Sequence, residues 1–419
     1  MKMNENRIAI VVCGIKNHIP LLEKLRHRGF YTILVDGAAE PIAKESADEF
    51  VQIDIFDFEG IKRLAIERKA SLIINACQEH INSGICKISE ELNLPHPYSY
   101  ETALDISDKV RMKAKMKEYG IPTTNYTHVS SFEQIEATNL RFPVYVKSCV
   151  GSGSNAVNRA TDKDEVKAAV LKALKKYPGS EVIIEEEARG EEYNVYCFPE
   201  NGKPNVLLVA RRYTDNLSGD RVTKLVGTLA PALISEDTYQ KIEVIAKSIT
   251  DGFNLDNVPM FMQVMIEDNE INVIEFAGRM AGGFGYQTIM ESTGVDWFEA
   301  TINGFLRLPN NLEYKKPDSY ITVSHVYGYP CVYGEITGWE ELLENGIINN
   351  ISFPKKRGME IKEGFANSSL VVYLIHKDKS LEDLMDKISY TFAHIEFLDI
   401  NGEKHLNKRL MMSIDMIRE

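Results

Sequence analysis

Residues 7–95 alternate apolar strand runs with helical stretches, and that alternation constrains the fold more than any other feature. Arg7–Cys13 reads as a strand, Ile19–Arg28 as a helix and Tyr31–Asp36 as a strand. Ile61–Lys69 then reads as a helix, Leu72–Ala76 as a strand and Ser83–Leu92 as a helix. Strand–helix–strand repetition builds a parallel sheet with covering helices. The turn after the first strand is Val12-Cys-Gly-Ile-Lys-Asn-His. It holds Gly14 alone, where a dinucleotide fingerprint needs three spaced glycines, so a nicotinamide cofactor is not expected.

The rest of the chain needs further cores. At 419 residues it is too long for one, and the length prior gives about three domains. Asp105–Tyr119 reads as one helix rich in Lys and Met, stopped by Gly120 and Pro122. Phe142–Ser148, Glu181–Glu185, Tyr193–Phe198 and Val206–Ala210 read as strands, and Lys163–Lys176 and Asp237–Thr250 as helices. Met260–Ile266 and Ile271–Glu275 flank Glu267-Asp-Asn-Glu270, a polar hairpin turn. Pro309–Lys316 reads as a linker, followed by strands near Ile321–Val326 and Ser369–Ile375 and a helix at Leu381–Ala393.

Three segments carry chemistry. In the first, Val144-Tyr-Val-Lys147 runs into Gly151-Ser152-Gly153-Ser154-Asn. A lysine closing a buried strand can aim its ammonium into a cleft, and a glycine–serine loop lets backbone N–H groups approach phosphate oxygens. No Gly-Lys-Ser/Thr closes it, so it is not a Walker loop. Taken alone it reads more readily as a flexible surface hairpin with a solvated lysine. In the second, Val182-Ile-Ile is followed by Glu185-Glu186-Glu187-Ala188 and then Glu192. Glu185 or its neighbour can accept from an exocyclic amine, the Ala188 backbone can pair with a purine edge, and Glu192 can accept from ribose hydroxyls. A solvated strand end gives the same pattern. In the third, Gln263 and Glu275 stand across the hairpin and can face each other on one side of the sheet. An amide oxygen and a carboxylate are hard donors suited to Mg²⁺. Arg279 follows beside Gly278, Gly282 and Gly283, where a guanidinium can grip a phosphate or carboxylate bidentately. Lys109 opens a helix, an end whose dipole favours an anionic partner.

Composition removes other classes. The formal net charge of −13 disfavours nucleic acid, whose binding rests on Lys/Arg contacts to phosphate. No apolar run approaches the roughly 20 residues of a membrane span, and the N-terminus lacks a signal-peptide pattern. The six cysteines form no C-x-x-C, and the nine histidines form no zinc motif. A soluble cytoplasmic protein with reduced thiols is expected.

In their order along the chain these residues resemble the ATP-grasp superfamily of carboxylate–amine ligases. The likeness covers most of the chain and implies an α/β architecture of four parts. Residues 1–95 would be the pre-ATP-grasp domain, 96–190 a linker helix and the lid lobe, and 191–310 the large lobe with the metal site. Residues 311–419 are similar to the small C-terminal α+β domain of the biotin-carboxylase and carbamoyl-phosphate-synthetase branch. By resemblance, Lys109 and Lys147 bind ATP phosphates, and Gly151, Ser152, Gly153 and Ser154 close over them. Glu185, Glu186, the Ala188 backbone and Glu192 hold adenine and ribose, with Ile274 under the base. Gln263 and Glu275 hold Mg²⁺, or Mn²⁺ in its place, and Arg279 steadies the acyl-phosphate transition state. Two departures stand out. Ala277 replaces an Asn that helps many members bind a second metal, and position 186 is Glu where several relatives carry Lys. The resemblance implies ligation of amino-acid-like carboxylate and amine substrates, and by analogy a homodimer. The alternatives are a purine-pathway ribonucleotide ligase, for which Arg211-Arg212 can begin a phosphate pocket, and a nucleotide-binding module without turnover, which Ala277 supports.

Overall fold

The computed structural model describes residues 7–131, 133–137, 140–148, 157–215, 224–363 and 366–418. The expected parallel sheet is there. Its strands lie in the order Glu49–Gln52, Phe30–Asp36, Arg7–Val12, Leu72–Ile74, all parallel. Helices His18–His27, Phe58–Arg68 and Glu79–Glu91 complete this unit. Ile10, Leu34, Ile73, Leu21 and Ile85 are fully buried between sheet and helices, as continuous apolar strand runs require.

The stretch read as one helix over 105–119 is two, Tyr100–Ser107 and Lys109–Glu118. Asp108 breaks it. Its backbone is extended, and its carboxylate accepts from the N–H groups of Val110 and Arg111, capping the second helix. Lys109 therefore opens a new helix and is not the middle of an old one.

A four-stranded antiparallel sheet follows, ordered Tyr126–Val129, Val182–Glu186, Val144–Ser148, Val157–Ala160. Helix Lys163–Lys176 covers it through Val166, Val170 and Ala173. The largest sheet has eight strands. In order they are Glu270–Ala277, Met260–Glu267, Glu191–Cys197, Val206–Asp215, Lys224–Ala230, Tyr320–Tyr327, Leu370–Asp378 and Asn350–Ser352. Strands from beyond residue 311 thus extend the same sheet that carries Gln263 and Glu275. One face of that sheet packs Val195, Val209 and Val264 against Ile242, Ile245 and Ile249 of helix Glu236–Gly252. The other face is covered at one end by helices Gly285–Thr293 and Trp297–Phe305, where Trp297 meets Tyr196 at 5.6 Å between ring centroids. Toward the Glu270–Ala277 edge that face is polar, and toward the far end it carries the buried cluster of Ile321, Val323, Ile375 and Phe284.

Two local devices set the geometry of this sheet. The hairpin turn places Asp268 and Asn269 at φ 49° and 65°, the left-handed pair of a two-residue hairpin loop. Gly190, which leads into strand Glu191–Cys197, has φ +93°, and a Cβ there would lie 2.1 Å from the Ile266 carbonyl oxygen. Gly190→Ala must therefore push the connection off the sheet. The expected loss is about 1–3 kcal/mol, seen as a lowered urea midpoint with an unchanged m-value.

Candidate active site

Strand alternation decides which side chains meet. Gln263 stands directly opposite Glu275 on one neighbour and opposite Asn194 on the other. Glu192, two residues from Asn194, shares that face, and Arg212 lies across from it. The polar face of the large sheet therefore carries Glu275, Gln263, Asn194, Glu192 and Arg212 side by side. Gln263 donates to Glu192 through its amide nitrogen. Arg212 pairs with Glu192 at 2.9 Å and donates to Asn194 Oδ1 at 3.3 Å. Arg211 takes the opposite face, where its guanidinium pairs with Glu191 and lies over the Tyr213 ring. Only one of the two adjacent arginines serves the site, which removes half of the phosphate pocket that Arg211-Arg212 suggested.

Glu275 lies two residues before the end of its strand with 47% of its side chain exposed, and Lys109 Nζ stands 3.4 Å from its carboxylate. The ammonium holds the Glu275 carboxyl below the usual range, and Glu275 in turn raises Lys109. Both are charged at neutral pH. A half-open carboxylate opposite an amide is a donor set that fits Mg²⁺, whose shell keeps room for substrate phosphates.

Arg279 reaches back to the parallel-sheet unit. Its Nε lies 2.7 Å from Glu79 at the start of helix Glu79–Glu91, and it donates to the Met280 carbonyl at 2.7 Å. Burial raises the Glu79 carboxyl while Arg279 opposes that rise. His80 beside it is lowered by burial and by the nearby Lys109 and Arg279 charges, so it is neutral at pH 7. Lys109, Glu275, Arg279, Glu79 and His80 thus converge from three elements distant in sequence.

Lys147 closes its strand as expected and donates to Glu185 at 2.7 Å. Glu185 is the centre of a buried cluster. Lys113 donates to it at 2.5 Å, Thr124 donates to it as well, and Lys113 also reaches Thr123 at 2.6 Å. The Lys113 and Glu185 side chains are 4% and 3% exposed. Burial alone would raise Glu185, but Lys147 and Lys113 override it and hold the carboxyl at about 2. Burial, reinforced by the nearby Lys147 charge, lowers Lys113 against the pull of Glu185. Both Glu185 oxygens are thereby taken by protein donors. Glu186 points away, accepting from the Arg141 backbone at 2.8 Å and from Asn125 at 3.2 Å. Ala188 lies in the connection between strands Val182–Glu186 and Glu191–Cys197, and Ile274 is partly buried on the strand next to Glu275. Gly151, Ser152, Gly153 and Ser154 lie outside the described residues.

Lys113, Thr124, Glu79 and Asn194 were missed in the sequence. Lys113 carried a signal, since it lies one helical turn after Lys109 on the same face. Glu79 carried none, because its partner Arg279 is 200 residues away.

Residues 107–282 match the family model for the ATP-grasp (A) domain of phosphoribosylglycinamide synthetase. The matched span runs through every site residue named above from Lys109 to Arg279. Residues 107–282 are an ATP-grasp domain. It is 25% identical over 367 residues to the bifunctional purine biosynthetic protein PUR2,5 of Pichia angusta, covering 82% of this chain and 46% of that one. It is 26% identical over 258 residues to the L-arginine-specific L-amino acid ligase of Bacillus subtilis, covering 58% of this chain and 60% of that one. The chain thus spans between two-fifths and two-thirds of the length of these two curated relatives. The fold of the chain is that of the Bacillus licheniformis L-amino acid ligase. That structure matches with a TM-score of 0.81 at 17% identity, over 94% of this chain and 99% of the other. No helix among the described residues is long and apolar enough to cross a membrane.

Proposed function

We propose that this protein is an ATP- and Mg²⁺-dependent carbon–nitrogen ligase that forms ADP. It activates a substrate carboxylate as an acyl-phosphate, and an amine then displaces phosphate to form an amide. The observation that carries this reading is the meeting of Lys109, Glu275 and Arg279 beside Gln263 at the edge of one polar sheet face. Lys109 is brought there by one element and Glu275 and Arg279 by another, and none of the three is needed to close a hydrophobic core.

Phosphoryl transfer asks for positioning and charge neutralisation more than covalent help. Lys147 and Lys109 supply positive charge for the ATP phosphates. Glu275 and Gln263 would hold the metal, which when bound neutralises charge on the transferred phosphate. The substrate carboxylate attacks the terminal phosphorus, the bond to ADP breaks, and Arg279 keeps the anionic acyl-phosphate in line. The amine attacks the acyl carbon, phosphate leaves, and the amine's surplus proton passes to solvent or phosphate. The Ala188 backbone and Glu192 hold adenine and ribose, with Ile274 beneath the base. Glu185 acts on Lys147, fixing its ammonium at 2.7 Å. The four-part division at about residues 95, 190 and 310 belongs to the same reading, as does a cytoplasmic location.

The resemblance to L-amino acid ligases favours amino-acid-like substrates. The match to phosphoribosylglycinamide synthetase favours a second reading, a ribosylamine as the amine. A coupled assay of ADP release over pairs of amino acids, and over ribosylamine–amino-acid pairs, separates them. Release that requires both a carboxylate and an amine supports the ligase. Tight binding of ATP with Mg²⁺ and no ADP from any pair would leave a nucleotide-binding module.

A further inference from the structure

Beyond Arg212 the same sheet face continues into strands from the end of the chain. Thr228 stands opposite Arg212, Val323 opposite Thr228, and His325 follows two residues after Val323. His325 is opposite Tyr373, and Tyr373 is opposite Ser352. One row therefore leads from the metal-binding edge to His325, Tyr373 and Ser352. The His325 ring meets Tyr373 edge-on at 4.9 Å, and Phe284 lies 5.2 Å from Tyr373 on the other side.

The parallel-sheet unit roofs this end. The loop after its first strand sends Asn17 to the Gly283 carbonyl at 3.1 Å and Lys16 Nζ to Ser352 Oγ at 2.5 Å. Gly283 is four residues from Arg279, at most about 14 Å along the chain, and a Cβ on it would come within 3.8 Å of the Tyr373 hydroxyl. Lys16 is partly buried, and burial lowers its ammonium. Among the described residues no carboxylate pairs with it, and Tyr373 Oη makes no hydrogen bond. A half-buried lysine held only by a neutral hydroxyl is incompletely compensated, and an anion would complete it.

We propose that Lys16, with the Tyr373 and Ser352 hydroxyls, holds an anionic group carried by the amine substrate. The group is a carboxylate or a phosphate, and Lys16 is a specificity-determining residue of the reaction. This rests on the ligase reading and deepens it, because it places the amine's far end across the cleft from the metal edge. Phe284 packs against the Tyr373 ring beside this group and fixes the ring's orientation.

The test compares wild type with Lys16→Met and Tyr373→Phe, each checked by its KM for ATP. Two readouts are used. In the first, L-alanine and L-alaninamide compete as the amine in the ADP-release assay. In the second, calorimetry in the presence of Mg²⁺ and ADP measures binding of L-alanine, L-alaninamide and ribose 5-phosphate without turnover. Wild type is expected to prefer an anionic probe, and Lys16→Met to weaken it by about ten- to a hundredfold while alaninamide is unchanged. Loss confined to alanine identifies a carboxylate, and loss confined to ribose 5-phosphate identifies a phosphate. If no pair yields ADP, the ligase reading fails while calorimetry still scores Lys16. Equal affinities in wild type and Lys16→Met, or no binding of either anion by wild type, overturn the proposal.

Discussion

Glu275→Gln lowers kcat by about 10²–10³-fold and leaves the fold intact. The carboxylate stands half-exposed near a strand end, so its loss opens no cavity in the core. The neutral amide keeps the shape but removes the charge proposed to hold the metal and paired with the Lys109 ammonium 3.4 Å away. Lys109 is then left with an unbalanced charge in the cleft. Steady-state assays over a Mg²⁺ titration check this. The loss should persist at saturating ATP, since the missing interaction acts where phosphate charge is redistributed. A Glu275→Gln enzyme of ordinary turnover would remove the metal assignment.

Glu185→Ala has the largest expected effect on stability. It leaves the Lys113 amine buried without its carboxylate and takes the partner from Lys147. Breaking a buried pair from one side costs about 3–5 kcal/mol, measurable by urea unfolding at pH 7. The pH dependence has a definite sign. The folded carboxyl sits at about 2 against an ordinary value of 4.5, so its folded value is depressed. Its contribution is fully present above about pH 4.5 and is lost as pH falls through about 2. The gap between wild type and Glu185→Ala should therefore be constant near neutrality and close in strong acid. A gap that widened on acidification would contradict the cluster. Because Lys147 depends on Glu185 for its position, the surviving folded fraction should also bind ATP more weakly.

Some of this was legible in the sequence and some could not be. The parallel unit followed from apolar runs alternating with helical stretches, a local signal. The hairpin at Asp268-Asn269 sets the pairing from Glu267–Glu270 to Val264–Val273, and that turn is readable in the sequence; the register shift between Gln263 and Val264, which brings Glu275 rather than Ile274 opposite Gln263, is not. The break at Asp108 was hidden because Asp108 sits in a helix-like stretch, and only the bonds its carboxylate accepts from the Val110 and Arg111 N–H groups reveal a cap. Glu185 and Glu186 were indistinguishable in a run of three glutamates. Alternation sends one inward and one outward, but which one depends on Lys113, 72 residues earlier. Arg211 and Arg212 divide in the same way. Helices Gly285–Thr293 and Trp297–Phe305 were missed because Trp297–Phe305 is buried on most sides and shows no clear polar face.

Activation of the carboxylate by the terminal phosphate of ATP leaves an isotopic trace, read by turnover with substrate labelled with ¹⁸O in its carboxylate. One ¹⁸O per turnover is expected in released phosphate, with ADP and amide formed in equal amount. Phosphate carrying no label while amide accumulates would rule out the acyl-phosphate.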